Sequence, residues 1–371
     1  MTNAPVYLDT ASAEPLHPAA RATLLAALEH AYADPRRLHG PGRNARLLLD
    51  NAREAVAGAL SVRRDEVIFT LSGTRAVQLG LLGLAAARSE RGRRVVHSAV
   101  EHQAVTDAAA WWGEPVEVGA DRQGRVYDGD LVEASTLPDV AVVALQSANH
   151  EVGTVQPVGT FPLADGVPLF VDACASMGRL PLPDGWDALA GSAHKWGGPS
   201  GVGVLLVRRR ARWTNPFPAG DPLSRADDHI DVAGTLAAAA ALQAVVAERA
   251  EVGARQRELI DLIRARVADI PDVDVVGDPV ERLPHLVTFS FLYVDGEALV
   301  TELDRLGFGL ASGSACAVDT REPSRVLAAI GALTHGNVRL SLTRETTRED
   351  VQRFLAVLPG VVASIRQRAG V

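Results

Sequence analysis

Short apolar runs and helical periods alternate along the first two thirds of the chain. Residues 66–70, 94–98, 140–145, 169–172, 189–192 and 202–207 are near-continuous apolar runs, which read as strands buried on both faces. Ahead of them, residues 18–32 place Leu24, Leu25 and Leu28 on one helical face, and residues 44–60 form a second helix. Another runs from Ser72-Gly73-Thr74 to about residue 88, and Glu101-His102-Gln103 opens the next. This alternation predicts an α/β fold with a mostly parallel central sheet covered on both faces. Beyond residue 240 the pattern changes. A helical stretch over 235–267 leads into strands at 273–276, 286–291 and 338–342, with helices at 296–306, 322–330 and 347–358. These make a smaller α+β layer, which the short strand at residues 6–9 joins. The expected division is a large domain over 15–240 and a small one from 1–14 and 241–371.

A chain of 371 residues with 47% hydrophobic content is long enough for two domains with a sizeable core. The net charge of −8 and the lack of a basic cluster argue against nucleic acid as a partner. Two cysteines make no disulfide framework and suggest a reducing compartment. With no signal pattern and no apolar run of about 18 residues, the reading is a soluble, cytoplasmic protein without a membrane partner.

The chemistry centres on Ser192-Ala193-His194-Lys195-Trp196-Gly197-Gly198-Pro199. A Gly/Pro turn between two strands holds the lysine on a tight loop, and a lysine so held can form a Schiff base once desolvated. His102, Asn149 or His150, Asp172 and Lys195 all fall at the ends of separate strands, where ligands gather in α/β sheets. For His102 the alternative is a helix-capping histidine. Gly73 and Thr74 open a helix whose free N–H groups suit a phosphate, although Ser-Gly-Thr is also an ordinary cap. Together these groups follow the logic of pyridoxal 5′-phosphate: an amine for its aldehyde, a carboxylate for its ring nitrogen, an imidazole against its ring and a helix end for its phosphate.

The chain resembles the group I cysteine desulfurases of the class V aminotransferase superfamily, fold-type I enzymes that use this cofactor. The likeness runs nearly end to end. It is carried by Tyr7-Leu8-Asp9 with Pro15, Leu38-His39-Gly40-Pro41-Gly42-Arg43, Ser98-Ala99-Val100-Glu101-His102, Val171-Asp172-Ala173, Ser192-Ala193-His194-Lys195, Gly234-Thr235 and Val338-Arg339-Leu340-Ser341-Leu342. Its most specific piece is Ser312-Gly313-Ser314-Ala315-Cys316, with Glu322-Pro323-Ser324 beyond.

The resemblance implies that Lys195 carries the cofactor and moves the Cα proton, that Asp172 pairs with the ring nitrogen and that His102 stacks on the ring. Thr74, Ser192 and His194 would meet the phosphate. Thr235 would reach the phosphate of the partner subunit's cofactor, making a homodimer. Arg339 would clamp the substrate carboxylate, with Asn149 or His150 nearby. Cys316 would take sulfur from L-cysteine as a persulfide, leave L-alanine and pass the sulfur to a thiol or protein acceptor. Other readings are transamination, cysteine β-lyase or selenocysteine lyase chemistry, or a non-catalytic homologue in a sulfur-transfer complex. Several positions depart from the family pattern. Ala175 replaces the glutamine that reaches the ring hydroxyl, and Asn149-His150 stands where two asparagines are usual. Val232-Ala233 precedes Gly234-Thr235 without the family's arginine. His150 is a candidate for the contact that Ala175 lacks. Of the cysteines, Cys174 reads as a small buried thiol and Cys316 as an accessible loop nucleophile.

Overall fold

The computed structural model describes residues 4–217, 230–312 and 323–370. The chain opens with β1 (Val6–Tyr7), α1 (Pro18–Leu28) and α2 (Gly40–Leu60). There follow β2 (Val67–Thr70), α3 (Gly73–Ala86), β3 (Arg94–Ser98), α4 (Gln103–Trp112), β4 (Glu114–Val118) and α5 (Asp128–Ser135). Four strands come next, β5 (Val140–Ala144), β6 (Leu169–Asp172), β7 (Ala188–Ser192) and β8 (Gly203–Val207). The long α6 (Val232–Ala268) leads to β9 (Val273–Val276), β10 (Leu286–Phe291), α7 (Gly296–Arg305) and β11 (Phe308–Gly309). The described chain ends with α8 (Arg325–Ala329), β12 (Asn337–Ser341) and α9 (Arg348–Ala369).

Seven strands form the central sheet in the order β2-β8-β7-β6-β5-β3-β4, mostly parallel, with β8 antiparallel to both neighbours. From β3 the chain winds outward to β4, and from β5 the other way to β6 and β7. The switch point therefore lies between β3 and β5, and the carboxyl ends around it are where such sheets bind ligands. β5, β6 and β7 are buried at every position, as expected of strands covered on both faces. β10 pairs antiparallel with β9 and β12. β1 pairs parallel with β11, and Asp9 bridges Ser341, so the N-terminal segment lies within this C-terminal layer.

Among the described residues, the long α6 joins two of the large cores, and a third packs α3 and α4 against the other face of the central sheet. Of the two that α6 joins, one ties Leu49, Val56, Val96, Val143, Val171 and Leu189 to its first half. The other packs Val6, Leu8, Phe289, Phe291, Leu340 and Phe354 against Leu259, Ile260, Ile263 and Val267 from its second half. α6 is long and apolar enough to cross a membrane by length and composition, yet half of its most apolar window is buried as the spine between these cores.

Four elements depart from the pattern reading. β4 and α5 were not anticipated: β4 is a largely exposed edge strand bearing Glu114, Pro115 and Glu117, with little apolar signal. α9 runs on through Pro359 to Ala369, beyond the end at 358 that the sequence pattern predicts. Val351, Phe354, Leu358, Val362 and Ile365 stay on one buried face, and this packing outweighs the hydrogen bond lost at the exposed proline. α2 starts at Gly40 rather than 44, because the His39 side chain caps it by accepting from Gly42 N–H at 3.2 Å.

Candidate active site

The carboxyl ends of β3, β5, β6 and β7 deliver the expected groups to one place. β7 runs into a short 3₁₀ turn, Ala193–Lys195, which the N-terminal segment braces. Glu14 N–H donates to the His194 carbonyl at 2.8 Å and His17 N–H to that of Gly197 at 2.8 Å. Arg179, itself paired with Glu14, donates to the Lys195 carbonyl at 3.1 Å. Gly197 has φ +79°, and a Cβ there would lie 3.1 Å from the His17 side chain, so glycine alone suits this turn. Trp196 anchors the far side, its indole N–H donating to Ala238 O at 3.1 Å.

The helix start of α3 closes against the same turn. A Cβ on Gly73 would come within 2.5 Å of Ser192 Cβ and 2.7 Å of its Oγ. Ser192 Oγ in turn sits 3.2 Å from His194 Nδ1. Gly73, Ser192 and His194 are thus brought together, with Thr74 exposed on the first turn of α3.

Asp172 ends β6, buried, and accepts from Cys174 N–H at 2.9 Å. His102 is a helix cap, its Nδ1 accepting from Ala104 N–H at 3.0 Å, and its ring meets that of His150 edge-on at 4.9 Å. Burial lowers its pKa; Lys195 acts the same way and Asp172 opposes. Beside it Glu101 is enclosed, with one oxygen accepting from Gln146 N–H at 2.8 Å and the other without a partner among the described residues. Burial raises that carboxyl well above the usual range, and Asp172 adds to the rise.

Asn149 and His150 take different parts. The Asn149 amide donates to Val100 O at 2.9 Å and accepts from the Glu151 and Val152 N–H groups, both at 2.8 Å. It is fully buried and holds the loop after β5. His150 instead lines a small cavity with Lys195, Ala175, Arg179, Thr10 and His285. Arg339 stands beside it, donating from Nη1 to His150 O at 3.2 Å and from Nη2 to Asp9 Oδ1 at 3.0 Å and Ser12 Oγ at 2.6 Å. Its buried Nε has no partner among the described residues, a donor left for an anion.

The profile of the family described as "Aminotransferase class-V" matches residues 6–354. The chain belongs to this family. Among its relatives is the IscS-like cysteine desulfurase of Mycobacterium tuberculosis, 38% identical with 98% of each chain covered. The cysteine desulfurase NifS of Azotobacter vinelandii is 33% identical over 98% of this chain and 94% of its own. A solved NifS-like protein shares the fold with a TM-score of 0.86, at 24% identity, covering 97% of this chain and all of the other.

Against the family pattern, two expected residues stand apart. Cys316 lies outside the described residues. Thr235 sits in the first turn of α6, where Asp231 caps the helix, and is 1% exposed. Within its own chain its side chain is enclosed. Two signals escaped the motif reading. Lys195 is the only lysine in the sequence, so no other side-chain amine can take its place. His285 carries no sequence signal, since it sits in a loop before an apolar strand with no motif around it.

The buried histidines predict an acid response. Burial, with nearby cations, lowers the pKa values of His150 and His285 well below the ordinary value of about 6.5. Below that value the unfolded chain binds protons that the folded histidines refuse, so their contribution is present at neutral pH and lost as pH falls from about 6.5 toward their depressed values. Glu101, whose carboxyl burial raises well above the usual range, titrates with the opposite sign, so the comparison needs a variant. The Tm of the apoprotein should fall less between pH 7.5 and 5 in His285→Asn than in the wild type. Parallel curves would show that His285 does not titrate on unfolding.

Proposed function

We propose that the protein is a cysteine desulfurase that holds pyridoxal 5′-phosphate at Lys195, takes sulfur from L-cysteine to leave L-alanine, and passes it as a Cys316 persulfide to a thiol acceptor. The observation that carries the reading is the convergence of the chain's single lysine with Asp172 and His102 at the carboxyl ends of the sheet, with Arg339 beside His150, which lines the same cavity as the lysine. The residues present fit the cofactor. Gly73 leaves a cradle beside Ser192 that a Cβ would fill, at the positive end of α3, which suits a phosphate. The orphaned Arg339 Nε suits a carboxylate, and Asp172 offers a buried carboxylate to a protonated ring nitrogen.

When bound, the cofactor draws electron density from the substrate's Cα. The chain's own groups do the rest. Arg339, with Nη2 fixed by Asp9 and Ser12, holds the substrate carboxylate. Asp172 keeps the ring nitrogen protonated, and His102 packs against the ring. The amine of Lys195 takes the Cα proton and later returns protons to the product. The Cys316 thiolate attacks the substrate sulfur: a sulfur–sulfur bond forms as the carbon–sulfur bond breaks, and its electron pair returns to the alanine fragment.

The assay incubates purified protein with L-cysteine and a reducing thiol. Alanine and sulfide should appear in equal amounts. Pyruvate and ammonia in place of alanine would identify a β-lyase. A homodimer is part of this proposal. It is supported by the exposed Leu25, Leu28, Tyr32, Leu38 and Leu47 on α1, α2 and the loop between them. Sedimentation should give twice the 39.2 kDa chain mass, and a monomer that keeps its cofactor would refute it.

A further inference from the structure

The cavity beside Lys195 contains a side chain that the reaction above leaves unused. His285 is 2% exposed, and its buried Nδ1 has no hydrogen-bond partner among the described residues. It forms the cavity wall together with Lys195, Arg179, His150 and Ala175. A buried polar atom left unpaired is costly unless something entering the cavity completes it.

The fold sets this histidine in place from two sides. The segment before it is stitched to the loop after β5, Val155 N–H donating to Glu281 O at 2.9 Å and Leu283 N–H to Gly153 O at 2.8 Å. Its own carbonyl accepts from Leu342 N–H at 2.8 Å, just past β12. The charged groups that face it are Arg179, Arg339 and Lys195, with His150 across the cavity. Burial and these three cations keep the ring neutral. A neutral ring carrying its proton on Nδ1 can donate there, and the surrounding cations favour an anionic oxygen as the acceptor.

We propose that His285 is a cofactor-contact residue: beside Ala175, which has no polar group, the Nδ1–H of His285 donates to the ring oxygen of pyridoxal 5′-phosphate held at Lys195. This rests on the cofactor reading above. His150 shares the cavity but has other neighbours, the His102 ring at 4.9 Å and Glu151 Oε1 at 3.6 Å from its Nε2. His285 alone of the two has a ring nitrogen that is both buried and unpartnered.

The test titrates apoprotein with pyridoxal 5′-phosphate and follows visible absorbance, then titrates the loaded protein with pH. In His285→Leu, binding should weaken about tenfold, the scale of one charge-assisted hydrogen bond. The spectral midpoint should rise by about one pH unit. The sign follows from the proton shared between the Lys195 nitrogen and the ring oxygen. Once that proton leaves, His285 is the donor that steadies the oxygen, so without it the proton is held more tightly. His285→Asn keeps a donor and should recover most of both effects, as should Ala175→Gln placed in the leucine background. A packing role would change Tm and leave affinity and midpoint alone.

Wild-type affinity and midpoint in His285→Leu would overturn the proposal, as would losses that neither asparagine nor Gln at 175 repairs. A wild type that binds no pyridoxal 5′-phosphate would instead sink the cofactor reading itself. Should the leucine variant fail to fold, ¹⁵N-histidine spectra of the wild type decide. Addition of the cofactor to apoprotein should slow exchange of one Nδ1 proton, absent in His285→Asn. No such signal refutes the contact.

Discussion

Cys316→Ser protein loses alanine formation from L-cysteine by about 10³-fold or more while still binding pyridoxal 5′-phosphate. Desulfuration needs a nucleophile on the substrate sulfur, and a serine hydroxyl lacks the soft, readily ionised character of a thiolate. The other cysteine cannot substitute. Cys174 is buried against the start of α3, 3.1 Å from where a Gly73 Cβ would stand, and burial, then Asp172, pushes its thiol well above the ordinary value. Cys174→Ser should therefore keep most of the activity. Alkylation trapping should find a persulfide on Cys316 in the wild type and none in the Cys316→Ser variant. Undiminished alanine production by that variant would refute the desulfurase mechanism.

Lys195→Ala should lose activity by about 10³-fold or more, because the amine that moves the Cα proton is gone. With no second lysine in the chain, nothing nearby can take over. Lys195→Arg should do no better, since a guanidinium stays protonated and gives up its proton to no base at neutral pH. The single lysine also makes labelling decisive. Borohydride reduction of the loaded wild type, followed by peptide mapping, should place the pyridoxyl group on Lys195. The only other primary amine is that of the N-terminus. A label confined to the N-terminus, or substantial turnover by Lys195→Ala, would overturn the assignment.

Much of the fold was legible because its strands are short apolar runs in a sheet buried on both faces, which leaves a strong local signal. β3, β6, β9 and β10 lie where the pattern put them. The signal failed where burial is one-sided or packing overrides propensity. β4 is an exposed edge strand with proline and two glutamates, and α9 carries Pro359 through on the strength of a continuous buried face. At the site, Lys195, Asp172 and His102 were legible because each follows a strand end in a recognisable motif. Asn149 and His150 were not separable. Adjacent residues point different ways from one turn, and only the hydrogen bonds of Asn149 to Val100, Glu151 and Val152 show which of them holds the loop.

The sequence by itself determined the fold class, the family and the chemistry, since alternating apolar runs, a lysine between strands and a Ser-Gly-Ser-Ala-Cys segment are local features. It also held the single lysine in plain view. What only the tertiary structure decided are relations between residues far apart in the chain. Asp9 and Ser12 fix Arg339 across about 330 residues, and Glu14 and Arg179 brace the lysine turn. His285 belongs to the same class. Its neighbours in sequence are ordinary, and its position beside Lys195 arises from two loops packed together after the sheet has formed. Periodicity reports what a residue does within its own element; it carries no information about which distant element closes over it.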